Sequence, residues 1–153
     1  MLNIEEFTKL TARIGPDVLR SDANPDLAFK KIAKSKSSIG SLIMNQSVMA
    51  GIGNIYRTEI LWRQAVHPET LGNNIDRQTF DRIWNDAKAL LTLGVKHNAI
   101  ITKRGAGRFK SKCREDFNIF AKETCPDCKG EISRFEINGR RAFVCEHCQP
   151  SPF

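Results

Sequence analysis

Two Cys-x-x-Cys pairs constrain this chain more than any other feature. They read Cys125-Pro126-Asp127-Cys128 and Cys145-Glu146-His147-Cys148, with sixteen residues between them. Pairs at this spacing match a four-cysteine zinc site. Each pair forms a tight knuckle that aims two thiolates at one ion, and a hairpin between the knuckles completes a tetrahedron of sulfurs. Asn138-Gly139 stands between the pairs as a hairpin signal, and residues 132–144 around it have strand character. Gly130 follows the first pair, where a knuckle favours a permissive backbone. A closed shell of four thiolates leaves no position for water, so the expected zinc is structural and not catalytic. Two disulfides are the competing reading of the same residues. Against them, Met1-Leu2-Asn3-Ile4-Glu5-Glu6 has neither the basic nor the apolar region of a secretory leader, and a reducing compartment disfavours disulfides. A redox role for one pair lacks a surrounding βαβ pattern. His147 reads as exposed, and Cys113, outside both pairs, as a spectator thiol.

Charge suggests a class of partner. Lys and Arg total 24 against 17 Asp and Glu in 153 residues, a net charge of +7. Four thiolates and one zinc ion lower this to +5, which is still basic. Such a surface suits a polyanion, most often nucleic acid. No run of about 18 apolar residues marks a membrane helix, so no membrane association is expected.

The first 101 residues read as helical. Asn3 and Glu6 form a capping box for a first helix, which Gly15-Pro16-Asp17 would end or turn. Asn24-Pro25 opens a second helix, with Ala28, Phe29, Ile32 and Ala33 on one face. Ser38 caps a third, where Ile39, Leu42 and Ile43 repeat at helical spacing. A fourth runs from Asn54 to about Ala65 and stops near His67-Pro68. The most regular stripe follows, with Phe80, Ile83, Trp84, Ala87, Leu90 and Leu91 assigned to the core.

Two segments carry less routine chemistry. Residues 103–114 hold six cations (Lys103, Arg104, Arg108, Lys110, Lys112 and Arg114) and no acid, with Gly105 and Gly107 between them. They read either as a solvated linker or as a flexible phosphate-contacting loop. Phe117-Asn118-Ile119-Phe120 beyond them has short strand character. Gly51-Ile52-Gly53-Asn54 precedes a helix. Its glycines permit positive φ and close approach, while the helix N-terminus and the Asn54 side chain offer donors to a phosphate. A simple tight turn is the alternative reading of the same glycines.

Three segments in order resemble the formamidopyrimidine-DNA glycosylase and endonuclease VIII family. They are Arg13-Ile14-Gly15-Pro16-Asp17; Met44-Asn45-Gln46 through Gly51-Ile52-Gly53-Asn54-Ile55-Tyr56-Arg57-Thr58-Glu59; and the terminal four-cysteine finger with Arg140 five residues before Cys145. The Tyr-Arg-Thr-Glu continuation is more similar to the endonuclease VIII side. The resemblance implies a mainly α fold with a small β zinc finger. A helix–two-turns–helix DNA-binding domain would occupy residues 1–102, the basic loop 103–114 and the zinc finger 115–153. It implies that Asn54 and Arg140 grip phosphates flanking a lesion, assisted by a backbone N–H near Gly53. The 103–112 loop would lie near a flipped base. Cys125, Cys128, Cys145 and Cys148 would hold one structural Zn2+ that braces the hairpin.

The family also carries an N-terminal β-rich domain beginning with a catalytic Pro and Glu. This sequence begins Met1-Leu2-Asn3-Ile4 and offers neither, so no catalytic residue is expected in it. It reads either as the C-terminal part of a base-excision-repair glycosylase/AP lyase or as a stand-alone module. In both cases it is expected to be a monomer that binds damaged or abasic duplex DNA. The expected location is the bacterial nucleoid or the eukaryotic nucleus. Two other functions compete: a weak AP lyase using another amine, such as Met1 or a loop lysine, and a zinc module for RNA or protein.

Overall fold

The computed structural model describes residues 3–11, 13–103 and 117–153. Local chemistry sets the helix boundaries within it. The capping box at the first helix forms: the Glu6 N–H donates to Asn3 Oδ1 at 2.8 Å and the Asn3 N–H to Glu6 Oε2 at 3.0 Å. It opens α1 (Ile4–Thr11). Asn24 caps α2 (Pro25–Ala33), accepting from the Asp26 N–H at 3.0 Å, and Pro25 fills a first-turn position that needs no donor. Ser38 caps the short α3 (Ile39–Leu42).

Helix α4 (Asn54–Arg63) ends just before the expected Ala65, which is itself left-handed with φ 57°. A 3-10 turn (Gly72–Asn74) then leads to α5 (Arg77–His97). Asp76 caps the start of α5, accepting from the Thr79 N–H at 2.7 Å, and left-handed Asn98 closes its end. No helix among the described residues is long and apolar enough to cross a membrane.

The α5 stripe is buried along its whole length, as its spacing predicts. It packs with Ala28 and Ile32 of α2, Ile39 of α3 and Ile60 and Leu61 of α4 in one hydrophobic core. Phe29 is partly exposed and tilts against Phe80, ring centroids 5.3 Å apart.

Two consecutive turns join α3 to α4, at residues 43–44 and 46–48. The Asn45 N–H donates to the Leu42 carbonyl at 3.1 Å, and the Val48 N–H to the Asn45 carbonyl at 2.9 Å. The 15–18 segment is laid across these turns. The Gly15 N–H donates to the Gln46 carbonyl at 2.7 Å, and the Ala50 N–H to the Pro16 carbonyl at 3.0 Å. The approach is close enough that a Cβ on Gly15 would lie 2.5 Å from the Val48 backbone.

The C-terminal part is the expected hairpin. Strands β1 (Ser133–Ile137) and β2 (Arg140–Val144) pair antiparallel, from Ser133↔Val144 to Ile137↔Arg140. Asn138 (φ 50°) and Gly139 (φ 74°) supply the two left-handed residues of a tight hairpin turn.

Phe117-Asn118-Ile119-Phe120 forms no strand, contrary to its sequence character. Its donors go to the carboxylate of Glu59, which is completely buried. Glu59 Oε2 accepts from the Asn118 N–H at 2.9 Å and from Asn118 Nδ2 at 2.8 Å. Glu59 Oε1 accepts from the Ile119 N–H at 2.9 Å and the Phe120 N–H at 2.8 Å. Backbone N–H groups held in this way are not free for a ladder. A second small core forms beside this clasp, in which Trp62 of α4 meets Ile119, Cys125, Ile132, Phe143 and Cys145. Helix α4 thus contributes to both cores.

Glu59→Gln keeps the shape of the side chain but turns an amide NH2 toward N–H donors. Urea unfolding of the variant is expected to show a loss of about 2–4 kcal/mol. An unchanged unfolding midpoint would mean that the clasp adds nothing to stability.

Candidate metal centre and nucleic-acid interface

The turn before α4 depends on Gly51, whose φ of 107° is one that side chains rarely adopt. Its N–H donates to Gln46 Oε1 at 3.0 Å, and Gln46 Nε2 donates to the Ile52 carbonyl at 3.3 Å. Gln46 therefore holds the loop from inside. Gly53 has a different role from the one its pattern suggests. Its φ is −99°, an ordinary extended value, and it precedes α4 with no side-chain cap. A Cβ there would meet nothing within 4 Å. What the glycine leaves is open, exposed space in front of the helix N-terminus, where the first N–H groups lack intrahelical partners.

Asn54, half-buried, is the first residue of α4. Its Nδ2 donates to the Arg141 carbonyl at 3.0 Å, and its Oδ1 accepts from Arg57 Nη2. The hairpin is held here at two further points. Asn138 Nδ2 donates to Ser41 Oγ in α3. Ile137 lies so close to α3 that a Cβ on Gly40 would come within 3.1 Å of its Cδ1. Arg140 and Arg141 are both exposed beside this contact. The structure thus brings Gly53, Asn54 and the start of the Arg140 strand together, although 86 residues of sequence separate Asn54 from Arg140. Arg57 is drawn into the same place, with 1% of its surface exposed. Burial, with the Arg140 charge nearby, brings the Arg57 guanidinium down to about 10.

The four paired cysteines converge at the other end of the hairpin. Their sulfurs all lie within 4.8 Å of one another. Cys125 Sγ is 3.8 Å from Cys148 Sγ, and Cys128 Sγ is 3.4 Å from Cys145 Sγ. Disulfide sulfurs would be about 2.05 Å apart, whereas thiolates about 2.3 Å from one tetrahedral ion sit about 3.8 Å apart. The spacing is that of four thiols that could hold one metal ion.

The electrostatics agree with this. Burial alone would raise the Cys125 thiol. The backbone N–H groups of Cys128 and Asp127 and the Trp62 side chain outweigh it and bring Cys125 down to about 7. Burial and the facing sulfurs push Cys145 and Cys148 up. A cation among the four sulfurs would favour their thiolate forms. In the first knuckle the left-handed residue is Lys129 (φ 63°), not Gly130. Gly130 instead presses its backbone on the metal-facing side, its N–H 3.3 Å from Cys128 Sγ. His147 is exposed, as its place in the knuckle predicts. Cys113 lies outside the described residues, as does the basic stretch apart from Lys103.

Sequence reasoning missed the residues that hold the finger against the helices. Gln149 is fully buried; its Oε1 accepts from the Cys145 N–H at 3.0 Å and its Nε2 donates to the Val66 carbonyl at 2.9 Å. His67 Nδ1 accepts from the Glu69 N–H at 3.1 Å, which leaves Nε2 as the donor to Glu146 Oε2, also at 3.1 Å. Glu59 and Arg57 belong to the same set. Their signal in the sequence was two opposite charges inside an otherwise uncharged stretch, residues 54–62, of a helix.

The formamidopyrimidine-DNA glycosylase H2TH domain family matches residues 14–105. Endonuclease 8 1 of Mycobacterium tuberculosis is 39% identical over 150 residues, covering 94% of this chain and 56% of that protein. The formamidopyrimidine-DNA glycosylase of Actinobacillus succinogenes is 32% identical over 155 residues, covering 96% and 56% respectively. Among solved structures, Lactococcus lactis Fpg non-covalently bound to DNA containing an AP site has a TM-score of 0.78 and 27% identity. That match covers 97% of this chain and 54% of the other. MutM in complex with DNA containing carbocyclic 8-oxo-G gives 0.80 and 26%, covering 97% and 55%. The chain spans little more than half the length of these relatives. The helices joined by two turns, the four-cysteine hairpin seated on them and these matches together place the chain in the formamidopyrimidine-DNA glycosylase and endonuclease VIII family.

Proposed function

We propose that this chain grips damaged or abasic duplex DNA as the C-terminal part of a base-excision-repair glycosylase/AP lyase, with one structural zinc in its four-thiolate site. Cys125, Cys128, Cys145 and Cys148 hold the ion, whose only task is to fix the base of the hairpin. Asn54, the N–H groups around Gly53 and Arg140 bind the phosphates. Chemistry on the sugar belongs to the family's β-rich Pro-Glu domain, and no catalytic residue is assigned here.

The observation that carries this reading is the bond from Asn54 Nδ2 to the Arg141 carbonyl. It seats an exposed pair of arginines against an uncapped helix N-terminus. A bidentate guanidinium beside free N–H groups suits a phosphate oxygen pair. The solved relatives with bound DNA support the choice of partner, since their complexes hold DNA containing an AP site and DNA containing carbocyclic 8-oxo-G. The net charge of +7 supports a phosphate-dominated mode of binding.

Cobalt(II) titration tests the metal site. One ion per chain is expected, with the intense visible absorption of a tetrahedral thiolate complex, and Cys145→Ser should abolish it. Octahedral-type spectra in the unsubstituted chain would overturn the tetrahedron.

Fluorescence anisotropy with a short duplex bearing a stable abasic analogue tests the grip. Affinity should fall with salt at a log–log slope of about −0.9 per phosphate contact. Arg140→Ala should weaken binding by about tenfold without lowering the melting temperature, because the side chain is exposed. Asn54→Ala should weaken it at least as much, since Asn54 also anchors the hairpin. Unchanged affinity in both variants would remove these residues from the interface.

A further inference from the structure

Among the described residues, Arg57 is the arginine placed where elementary electrostatics argues against it. It is 1% exposed. It lies in the first turn of α4, at the positive end of the helix dipole, where a cation is disfavoured. A second cation, Arg140, is near enough to perturb it. Arg20, Arg63 and Arg77 each pair with a carboxylate. Among the described residues Arg57 pairs with none. Its acceptors are three neutral oxygens: Asn54 Oδ1, and the Gly40 and Arg141 carbonyls at 3.4 Å each. Its Nε is buried and has no partner. Two long bonds and an orphaned N–H replace water poorly, and an apolar side chain of similar length would fill the space without that cost.

Its one short-range contact points to the reason for its presence. A guanidinium can only donate, so its bond to Asn54 Oδ1 settles which way the Asn54 amide faces. Nδ2 must point away from Arg57. One Nδ2 hydrogen goes to the Arg141 carbonyl, and the second has no protein acceptor among the described residues.

We propose that Arg57 is the positioning residue of this anion site: it locks the Asn54 amide in its donating orientation and holds an unmatched positive charge behind it, which a DNA phosphate neutralises. The proposal rests on the duplex-binding reading above and deepens it. Arg57 does not touch the phosphate. It acts through Asn54 and through the field it adds to the helix N-terminus and Arg140. Binding of the anion thereby removes a cost that the free protein carries.

The test uses the zinc-loaded chain and two variants, Arg57→Met and Arg57→Lys. The first readout is the melting temperature across a titration of inorganic phosphate at fixed ionic strength. The unsubstituted chain should be stabilised by phosphate. Arg57→Met should melt at the same temperature or higher without phosphate, and should lose the phosphate-dependent rise. Its loss would also separate site binding from the general stabilising effect of phosphate on any protein surface. The second readout is affinity for the abasic-analogue duplex. Arg57→Met should bind about tenfold more weakly or worse, with a shallower salt slope.

Arg57→Lys keeps the charge and guards against a folding failure of the Met variant. It should stay within about threefold of the parent in duplex affinity and keep the phosphate response. A folded Met variant with unchanged affinity and phosphate response would overturn the proposal, and so would a folded Lys variant that loses both. If the parent chain binds no duplex at low salt, the duplex reading itself fails, and the phosphate titration still decides the role of Arg57.

Discussion

The buried carboxylate of Glu59 is the interaction on which this structure turns. A carboxylate with no exposed surface is tolerable only if its lone pairs are filled, and here four N–H donors from residues 118–120 fill them. The consequence is topological. Residues 118–120 lead into the first cysteine knuckle, so a side chain of the helical part fixes where the finger begins. Asn118 Nδ2 also donates to the Thr102 carbonyl at 2.8 Å, which in turn accepts from Arg63 Nη1 at 3.2 Å. The two ends of the basic segment are therefore held together by groups from one helix.

That helix departs from the usual amphipathic plan. Residues 56–62 of α4 are all buried, including Arg57, Thr58 and Glu59. A helix enclosed on all sides normally carries apolar residues all round. Here two charges two positions apart point to opposite sides and meet opposite fates. Glu59 is saturated by charge-assisted bonds and joins the two cores. Arg57 receives only neutral acceptors, two of them distant, and faces the uncapped end of the helix. One charge is fully hydrogen-bonded within the protein, and the other keeps a buried N–H without a partner.

The pattern of what the sequence made legible follows from range. Capping at Asn3, Asn24 and Ser38, the α5 stripe, the convergence of the four cysteines and the Asn138-Gly139 turn all depend on residues a few positions apart or on fixed spacings. Each could be read directly. The Glu59 clasp spans about 60 residues, the Asn54–Arg141 contact 87 and the Gln149–Val66 contact 83. No local pattern announces a partner at that distance. The error at residues 117–120 has the same origin. An aromatic and β-branched run looks like a strand until its N–H groups are claimed by a carboxylate from elsewhere. At Gly53 the residue type was informative but the reason was not: its use is the empty volume in front of the helix, and Gly51 alone supplies the positive φ. The grouping of Gly53, Asn54 and Arg140 came from family resemblance; in the structure Asn54 meets the carbonyl of Arg141, next in sequence to Arg140.

The hairpin is fixed at two ends by different chemistry. At its base, the four-cysteine cluster is tied to the helices by Gln149, by the His67–Glu146 pair and by Trp62 packed on Cys125. At its tip, Asn138 reaches Ser41 and the Arg141 carbonyl receives Asn54 and Arg57. A two-stranded hairpin alone is marginal in water. Anchored only at the base, it would leave Arg140 free to swing. Anchored only at the tip, its strands could splay and change the direction in which Arg140 points. With both ends held, the arginine at the start of β2 has a fixed place relative to the α4 N-terminus before any ligand arrives. If these groups bind phosphate as proposed, they need little ordering on association, and less of the gross interaction energy is lost to it. The four-cysteine cluster and the α4 N-terminus thus hold opposite ends of one hairpin, and Arg140 is exposed at the end next to the helix.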